Sequence, residues 1–348
     1  MSGADISALF IVWSAVGIVA NVPFGALADR FSRRTVLAVA GVVQASGYAL
    51  WTTIHDFPAF AAGFVLWGLS GALVDGAFEA LLYDGLADVG AEEHYVRIQG
   101  WVTAAQLLAQ LAAGVAATFL FTFGGFPLVG WVSVGCCLAT GGLALRLPEP
   151  LRAASDDEPG YFATLRAGFT AVLRQPRLRI AVIVVALLAG VDAIEEYFPL
   201  AAQDWGVPAR FVPLAVLGIP VAGAAGAWLG GMAASATRLR SIMLAALLGM
   251  AFVALGAAGL LRQPAGLVCV AGYYLVYQGV LVIIQGRLQD RIDTANRATV
   301  TSVAGLCTDV TAIGCYAIWP LGQIVLVAAL GLGIAAAVPL VRSGGDQL

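Results

Sequence analysis

Long apolar runs separated by short polar stretches dominate this chain. A membrane-spanning helix needs about 20 mostly apolar residues, and eleven segments of the chain reach that length. In order, they are 6–28, 35–54, 60–83, 98–121, 126–147, 178–199, 209–233, 239–261, 265–287, 298–318 and 321–341. The pattern therefore predicts an all-α membrane protein with eleven transmembrane helices.

The composition agrees with a membrane protein and argues against other classes. Hydrophobic residues make up 60% of the chain and charged residues 11%, against about 45–50% and 25% in soluble domains. The net charge of −3 offers no basic surface for a nucleic acid. The five cysteines lack metal-ligand spacing to a histidine, so we expect no metal and no cofactor. His55 and His94 fall in loops on opposite sides of the membrane, and no catalytic motif is present, so we do not expect an enzyme.

Arginine positions predict the orientation of the chain, because positive residues accumulate on the cytoplasmic side. If the loop after the first segment is cytoplasmic, 16 of the 18 arginines lie on that side. Only Arg210 and Arg262 then lie outside. We therefore expect a multi-pass protein of a bacterial inner (plasma) membrane, in contact with the lipid bilayer and with a cytoplasmic C-terminus.

The longest polar stretch divides the predicted helices into five before it and six after it. This predicts an N-terminal helical bundle over 1–147, a cytoplasmic linker over 148–177 and a C-terminal helical bundle over 178–348. Apolar residues recur at helical spacing between 162 and 172. That spacing predicts an amphipathic helix on the inner leaflet, with a short soluble linker helix as the alternative.

The two halves of the chain repeat each other. Segment 98–121 corresponds to 298–318 at an offset of about 200, and the other segments pair in the same order. Only segment 178–199 has no counterpart, because the matching position would precede Met1. The repeat therefore predicts a six-plus-six architecture of twelve helices, of which the first is absent from this sequence.

A polar decapeptide, GALADRFSRR, connects the first two predicted helices at residues 25–34. With the six-plus-six repeat and the long central loop, it makes the chain resemble the major facilitator superfamily of transporters. The family's loop motif, G-x-L-A-D-R-x-G-R-R/K, is matched at several positions, whereas Ser32 replaces its second glycine. The principal matching residues are Gly25, Asp29, Arg30, Arg33 and Arg34.

The resemblance implies two pseudo-symmetric helical bundles and a cytoplasmic latch between conformational states. In that latch, Asp29 would meet the positive N-terminal end of segment 298–318. Arg30 and Arg33 would pair with Asp84 or with lipid phosphates. The alternative is that the loop only follows the general excess of positive residues on the cytoplasmic side. That alternative explains the arginines but not Asp29.

Ionisable residues inside predicted spans are candidate functional residues, because a charge at the bilayer centre costs about 2.5–3.5 kcal/mol on insertion scales. Asp75 and Glu79 share a helix face, and so do Asp192 and Glu195, while Asp309 lies near the middle of its segment. Two carboxylates on one face repel, so one is expected to hold a proton near neutral pH. Structural hydrogen bonding, or for Glu195 contact with outer-leaflet water, is the alternative role.

Amides and a tyrosine form two further polar stripes at helical spacing. Gln106 and Gln110 belong to segment 98–121, and Tyr274 and Gln278 belong to segment 265–287. Such stripes either face a substrate or join neighbouring helices. The family resemblance places segment 265–287 among the helices that line the central cavity.

No arginine lies at the centre of a predicted span, which disfavours an anion carrier. We therefore expect a monomeric secondary transporter of a small neutral or cationic organic solute, coupled to protons. The alternative is a non-transporting or degenerate relative that serves as a sensor, a partner subunit or an inactive fragment.

Overall fold

The structure, a computed structural model, describes residues 1–91, 94–148, 166, 169–170, 172–232, 238–289, 291–292 and 297–341. It describes side chains over these ranges except at 21–30, 76, 79–80, 96, 103, 107, 238–240 and 297–299. The described part of the chain is predominantly helical and has no strand, which confirms the predicted fold class. The chain divides into two compact units, Met1–Glu158 and Pro159–Leu348.

Four long helices form the described part of the first unit. They are α1 (Gly3–Arg30), α2 (Arg33–Thr53), α3 (Phe57–Ala87) and α4 (Tyr95–Ala144). The Asp56 carboxylate caps α3 by accepting a hydrogen bond of 2.9 Å from the N–H of Ala59. Helix α1 packs on α3, and α2 packs on both α3 and α4.

Helix α4 is two membrane spans in one continuous helical stretch. Its 50 residues would extend about 75 Å if straight, against a hydrocarbon core of about 30 Å. The backbone breaks at Gly125, where φ is 61° and ψ is −159°, a region that glycine enters without steric cost. The second half then runs antiparallel to α2, because Gly130 approaches Thr52 while Gly141 approaches Ala38.

The described part of the second unit has seven α-helices, most of them shorter than those of the first unit. In chain order they are α5 (Pro176–Gly190), α6 (Phe198–Asp204), α7 (Val212–Val216), α8 (Gly218–Met232), α9 (Arg238–Leu261), α10 (Gly266–Gln289) and α11 (Arg297–Ala337). Helix α11 is also a double span, broken at Gln323 with φ 49° and ψ −143°. Pro320 precedes this break within the helix.

The described helices account for the eleven predicted spans. Eight helices in the described part of the chain are long and apolar enough to cross a membrane. The two double spans, α4 and α11, raise this number to ten. The interrupted stretch from α5 to α6 covers the remaining predicted segment, 178–199.

The two units pack by the same scheme, as the sequence repeat predicts. In the first unit α1 packs on α3, and α2 packs on the second half of α4. In the second unit α8 packs on α10, and α9 packs on the second half of α11, where Gly259 approaches Ile324. Helix α5 packs on the first half of α11.

The predicted motif loop is short. Between α1 and α2, Ser32 has φ −58° and ψ 121°, so serine in place of glycine requires no left-handed backbone at this position. The side chains of Asp29 and Arg30 lie outside the described part of the chain, as does most of the linker helix predicted over 162–172. The latch at Asp29 and the linker helix therefore stay predictions.

Candidate functional site

The helical stretch from α5 to α6 changes its geometry where its acidic residues lie. A 3-10 helix, Val191–Tyr197, separates the two α-helices. Pro199 explains the change, because it has no N–H to donate to the carbonyl of Glu195 and its ring crowds that oxygen. A 3-10 helix has three residues per turn, so Asp192 and Glu195 lie one above the other.

Helix α10 supplies one neutral hydrogen-bond donor to each of these two carboxylates. The hydroxyl of Tyr274 donates to Oε2 of Glu195. Nε2 of Gln278 donates to Asp192, with distances of 3.2 Å to Oδ1 and 3.5 Å to Oδ2. Tyr274 and Gln278 are one helical turn apart, which matches the spacing of the two acids. We call Asp192, Glu195, Tyr274 and Gln278 the carboxylate site.

Two further tyrosines of α10 lie behind the carboxylate site. Tyr277 is fully buried and its hydroxyl donates to the backbone oxygen of Leu188 at 2.7 Å. The carbonyl of Leu188 lies near the C-terminal end of α5. The Tyr273 ring stacks on the Tyr277 ring with centroids 5.5 Å apart. The bond from Tyr277 to Leu188 joins α10 to α5 near Tyr274 and Gln278.

Glycines of α8 allow close packing on the other side of α10. A Cβ atom at Gly223 would lie 2.6 Å from Cδ1 of Tyr274 and 3.3 Å from Cγ of Gln278. A Cβ atom at Gly226 would overlap the backbone oxygen of Leu275. Small residues therefore bring α8 into direct contact with the part of α10 that holds the site.

The carboxylate site has acidic groups for which the described side chains provide only neutral hydrogen-bond donors. A third acid, Glu196, follows Glu195 directly. Among the described residues, no ion pair joins Asp192, Glu195 or Glu196 to an arginine. A phenol and an amide donate hydrogen bonds but do not neutralise charge. In a membrane-spanning segment such a charge is costly, and either a proton or a cationic ligand removes that cost.

The other predicted cavity residues lie on α11 and in the first unit. The Asp309 side chain is exposed on α11, and no hydrogen bond links it to the carboxylate site among the described residues. Asp75, Gln106 and Gln110 belong to the first unit and are exposed. The side chain of Glu79 lies outside the described part of the chain.

At the predicted cytoplasmic ends of the helices, each unit has a polar contact between corresponding elements. In the first unit, Nη1 of Arg33 forms an ion pair with Oδ2 of Asp84, joining the start of α2 to α3. In the second unit, the buried Arg287 of α10 donates to Ser241 Oγ at 3.0 Å and to the backbone oxygen of Val341 at 3.1 Å. The contact in the second unit joins α9 to α10 by hydrogen bonds to neutral acceptors, whereas the contact in the first unit is an ion pair.

Sequence reasoning missed the supporting tyrosines, Tyr273 and Tyr277. The motif GYYLVYQG, residues 272–279, places Tyr277 one turn after Tyr273 and also at helical spacing from Tyr274. Helical spacing therefore gave a signal for them. The acceptor on α5, the backbone oxygen of Leu188, had no such signal.

The sequence of this chain is similar to those of known membrane transporters. The sequence profile of the Major Facilitator Superfamily matches residues 1–314. The Enterobactin exporter EntS of Escherichia coli (strain E2348/69) is 27% identical over 268 residues, covering 71% of this chain and 59% of the exporter. The chain thus spans about three fifths of the length of the curated relatives it matches.

Solved structures share the fold at low sequence identity. The nucleoside transporter NupG matches with a TM-score of 0.73 and 15% identity, over 97% of this chain and 90% of NupG. A D-xylose-proton symporter matches with a TM-score of 0.69 and 15% identity, over 97% of this chain and 88% of the symporter. At this identity the likeness shows the fold alone.

Proposed function

Because the chain belongs to the Major Facilitator Superfamily, we propose that it is a secondary transporter of a small neutral or cationic organic solute. Transport would proceed by alternating access, with one helical bundle moving against the other. The family is one of transporters and not of enzymes, which agrees with the sequence prediction. The protein would act as a monomer in a bacterial inner membrane, with a cytoplasmic C-terminus as the arginine bias predicts.

One observation supports proton coupling or cation binding above the other possibilities. Asp192 and Glu195 lie in the predicted span 178–199, and their described donors are the neutral groups of Gln278 and Tyr274. A negative charge in a membrane span is costly, and binding of a proton or a cation would remove that cost. The carboxylate site is therefore our candidate for coupling, alongside Asp75, Glu79 and Asp309 from the sequence.

A neutral solute is compatible with the same site. Tyr274 and Gln278 offer a phenol and an amide, which also hydrogen-bond hydroxyl and carbonyl groups. Among the similar proteins, NupG is described as a nucleoside transporter and another as a D-xylose-proton symporter. Nucleosides and sugars are therefore reasonable neutral probes, with ethidium as a cationic probe.

The test is uptake into proteoliposomes with and without an imposed proton gradient. Uridine, D-xylose and ethidium serve as the three labelled solutes. For a transported solute, we expect gradient-dependent uptake by the wild type and loss of that dependence in a variant with Asp192→Asn and Glu195→Gln. The matched control is Asp204→Asn, at the exposed end of α6 in the same stretch.

Two results would contradict different parts of the proposal. Absence of uptake of any solute in a broad panel by the wild-type protein would refute transport and favour the non-transporting alternative. Gradient-driven uptake that is equal in the wild type and the double variant would retain transport but reject the carboxylate site as its coupling site.

A further inference from the structure

The ring of Tyr274, which carries the hydroxyl that bonds to Glu195, is enclosed by other aromatic rings. Only 5% of this residue is exposed. The Tyr277 ring stacks against it with centroids 5.9 Å apart and an angle of 20° between the two planes. The Phe198 ring meets it edge-on, with centroids 6.0 Å apart. Tyr277 and Phe198 are themselves buried, so the Tyr274 ring has little space in which to move.

Helix α8 lies against the same ring through a residue that has no side chain. A Cβ atom at Gly223 would lie 2.6 Å from Cδ1 and 2.7 Å from Cε1 of Tyr274. It would lie 3.3 Å from Cγ of Gln278. Carbon atoms in favourable contact are about 3.5–4.0 Å apart. A methyl group at position 223 would therefore displace the Tyr274 ring by about 1 Å and Gln278 by less.

Two other glycines of α8 meet α10 in a different way. Gly226 and Gly230 follow Gly223 at spacings of three and four residues. A Cβ atom at either position would lie within 2.4 Å of a backbone oxygen of α10, that of Leu275 or that of Gly279. These two glycines therefore set the distance between the backbones of α8 and α10. Of the three glycines, Gly223 is the one whose Cβ atom would meet side chains of the carboxylate site.

We propose that Gly223 is a positioning residue of the carboxylate site, because it leaves the Tyr274 ring where its hydroxyl reaches Glu195. The functional consequence rests on the proposed role of that site in coupling. Helix α8 then takes part in coupling without donating a hydrogen bond to either acid. Because the overlap at Tyr274 is larger than that at Gln278, a side chain at position 223 disturbs Glu195 more than Asp192.

The test compares Gly223→Ala with the same substitution at another glycine that packs against an aromatic ring. A Cβ atom at Gly331 of α11 would lie 2.3 Å from Cε1 of Phe252, and Phe252 does not belong to the carboxylate site. Because the overlap at Gly331 is the larger of the two, Gly331→Ala should lower the melting temperature at least as much as Gly223→Ala. This control also shows whether the protein folds with a methyl group inserted against a buried ring.

Two readouts follow the Tyr274 hydroxyl, and one of them does not depend on transport. The nine tyrosines are replaced by 3-fluorotyrosine in the purified protein, and the fluorine-19 resonance of Tyr274 is assigned by its loss in Tyr274→Phe. Gly223→Ala should shift this resonance, whereas Gly331→Ala should leave it in place. The second readout is gradient-dependent uptake of uridine, D-xylose and ethidium into proteoliposomes.

The uptake results should separate positioning from general packing. Gly223→Ala should lower gradient-dependent uptake by about tenfold, which corresponds to the lower limit for loss of a hydrogen bond to a charged group. Gly331→Ala should leave the gradient dependence of uptake unchanged. In a Tyr274→Phe background, Gly223→Ala should cause no further loss, because the hydroxyl that it displaces is already absent.

Three results would overturn the positioning role of Gly223. The first is an unchanged Tyr274 resonance in Gly223→Ala, whether or not the protein transports any of the three solutes. The second is an equal loss of uptake in Gly223→Ala and Gly331→Ala, because general packing would then be responsible. The third is a further loss of about tenfold in the Tyr274→Phe background. If the wild type takes up no solute, the proposed function fails, and the resonance alone decides the positioning role.

Discussion

Two tyrosines of α10 allow the role of the carboxylate site to be separated from the stability of its scaffold. Tyr274 and Tyr277 are three residues apart, and each donates a hydrogen bond from its hydroxyl, to Glu195 and to the end of α5, respectively. Tyr274 donates to a carboxylate, whereas Tyr277 donates to a backbone carbonyl. Replacing each by phenylalanine removes one oxygen atom and leaves the ring in place.

The two replacements should have different energetic consequences. Tyr277 is fully buried and its bond to Leu188 is 2.7 Å long, so its loss leaves a buried carbonyl without that donor. Such a loss costs about 1–3 kcal/mol of stability. The bond from Tyr274 is made to a carboxylate, and such bonds are worth about 1.5–3 kcal/mol. Since about 1.4 kcal/mol corresponds to a factor of ten, its loss should lower gradient-dependent uptake by about 10–100-fold if the carboxylate site couples transport.

The two variants should therefore differ in what they change. Tyr274→Phe should reduce gradient-dependent uptake by that factor, with little change in the apparent melting temperature. Tyr277→Phe should lower the melting temperature and leave the gradient dependence of uptake in place.

Uptake into proteoliposomes with and without a proton gradient and thermal unfolding of the purified variants provide both measurements. The reasoning is refuted if both variants reduce gradient-dependent uptake equally, because the effect would then come from a general disturbance of α10. It is also refuted if Tyr274→Phe takes up solute with the same gradient dependence as the wild type.

Three further predictions concern packing and the cytoplasmic ends of the helices. Gly226→Ala should lower the apparent melting temperature, because the added Cβ atom would overlap the carbonyl of Leu275 at a cost of about 1–3 kcal/mol. Gly231→Ala is the control and should change the melting temperature little, because there is open space around Gly231. Asp84→Asn should destabilise the protein by about 1–3 kcal/mol, because the charge-assisted bond to Arg33 is lost. A double-mutant cycle in thermal unfolding that finds no coupling energy between Arg33 and Asp84 would contradict this prediction. Asp29→Asn should slow conformational exchange without abolishing substrate binding, and unchanged transport rates would reject the latch.

The positions of the helices could be predicted because each membrane span requires its own apolar run. The turn within α4 was also readable, since the predicted segments 98–121 and 126–147 end and begin on either side of Gly125. The 3-10 helix was not predicted, although Pro199 gives a local reason for it. The hydropathy of a span is an average over about 20 residues. It does not change when the backbone hydrogen bonds shift locally from the fourth to the third preceding residue.

The members of the carboxylate site could be selected from the sequence, but their pairing could not. Polar residues within apolar spans identify themselves because they are costly in lipid. Tyr274 and Glu195 are separated by 79 residues, and the register between their helices depends on packing such as that of Gly223 against Tyr274. A single sequence does not show how residues of these two helices are aligned with each other.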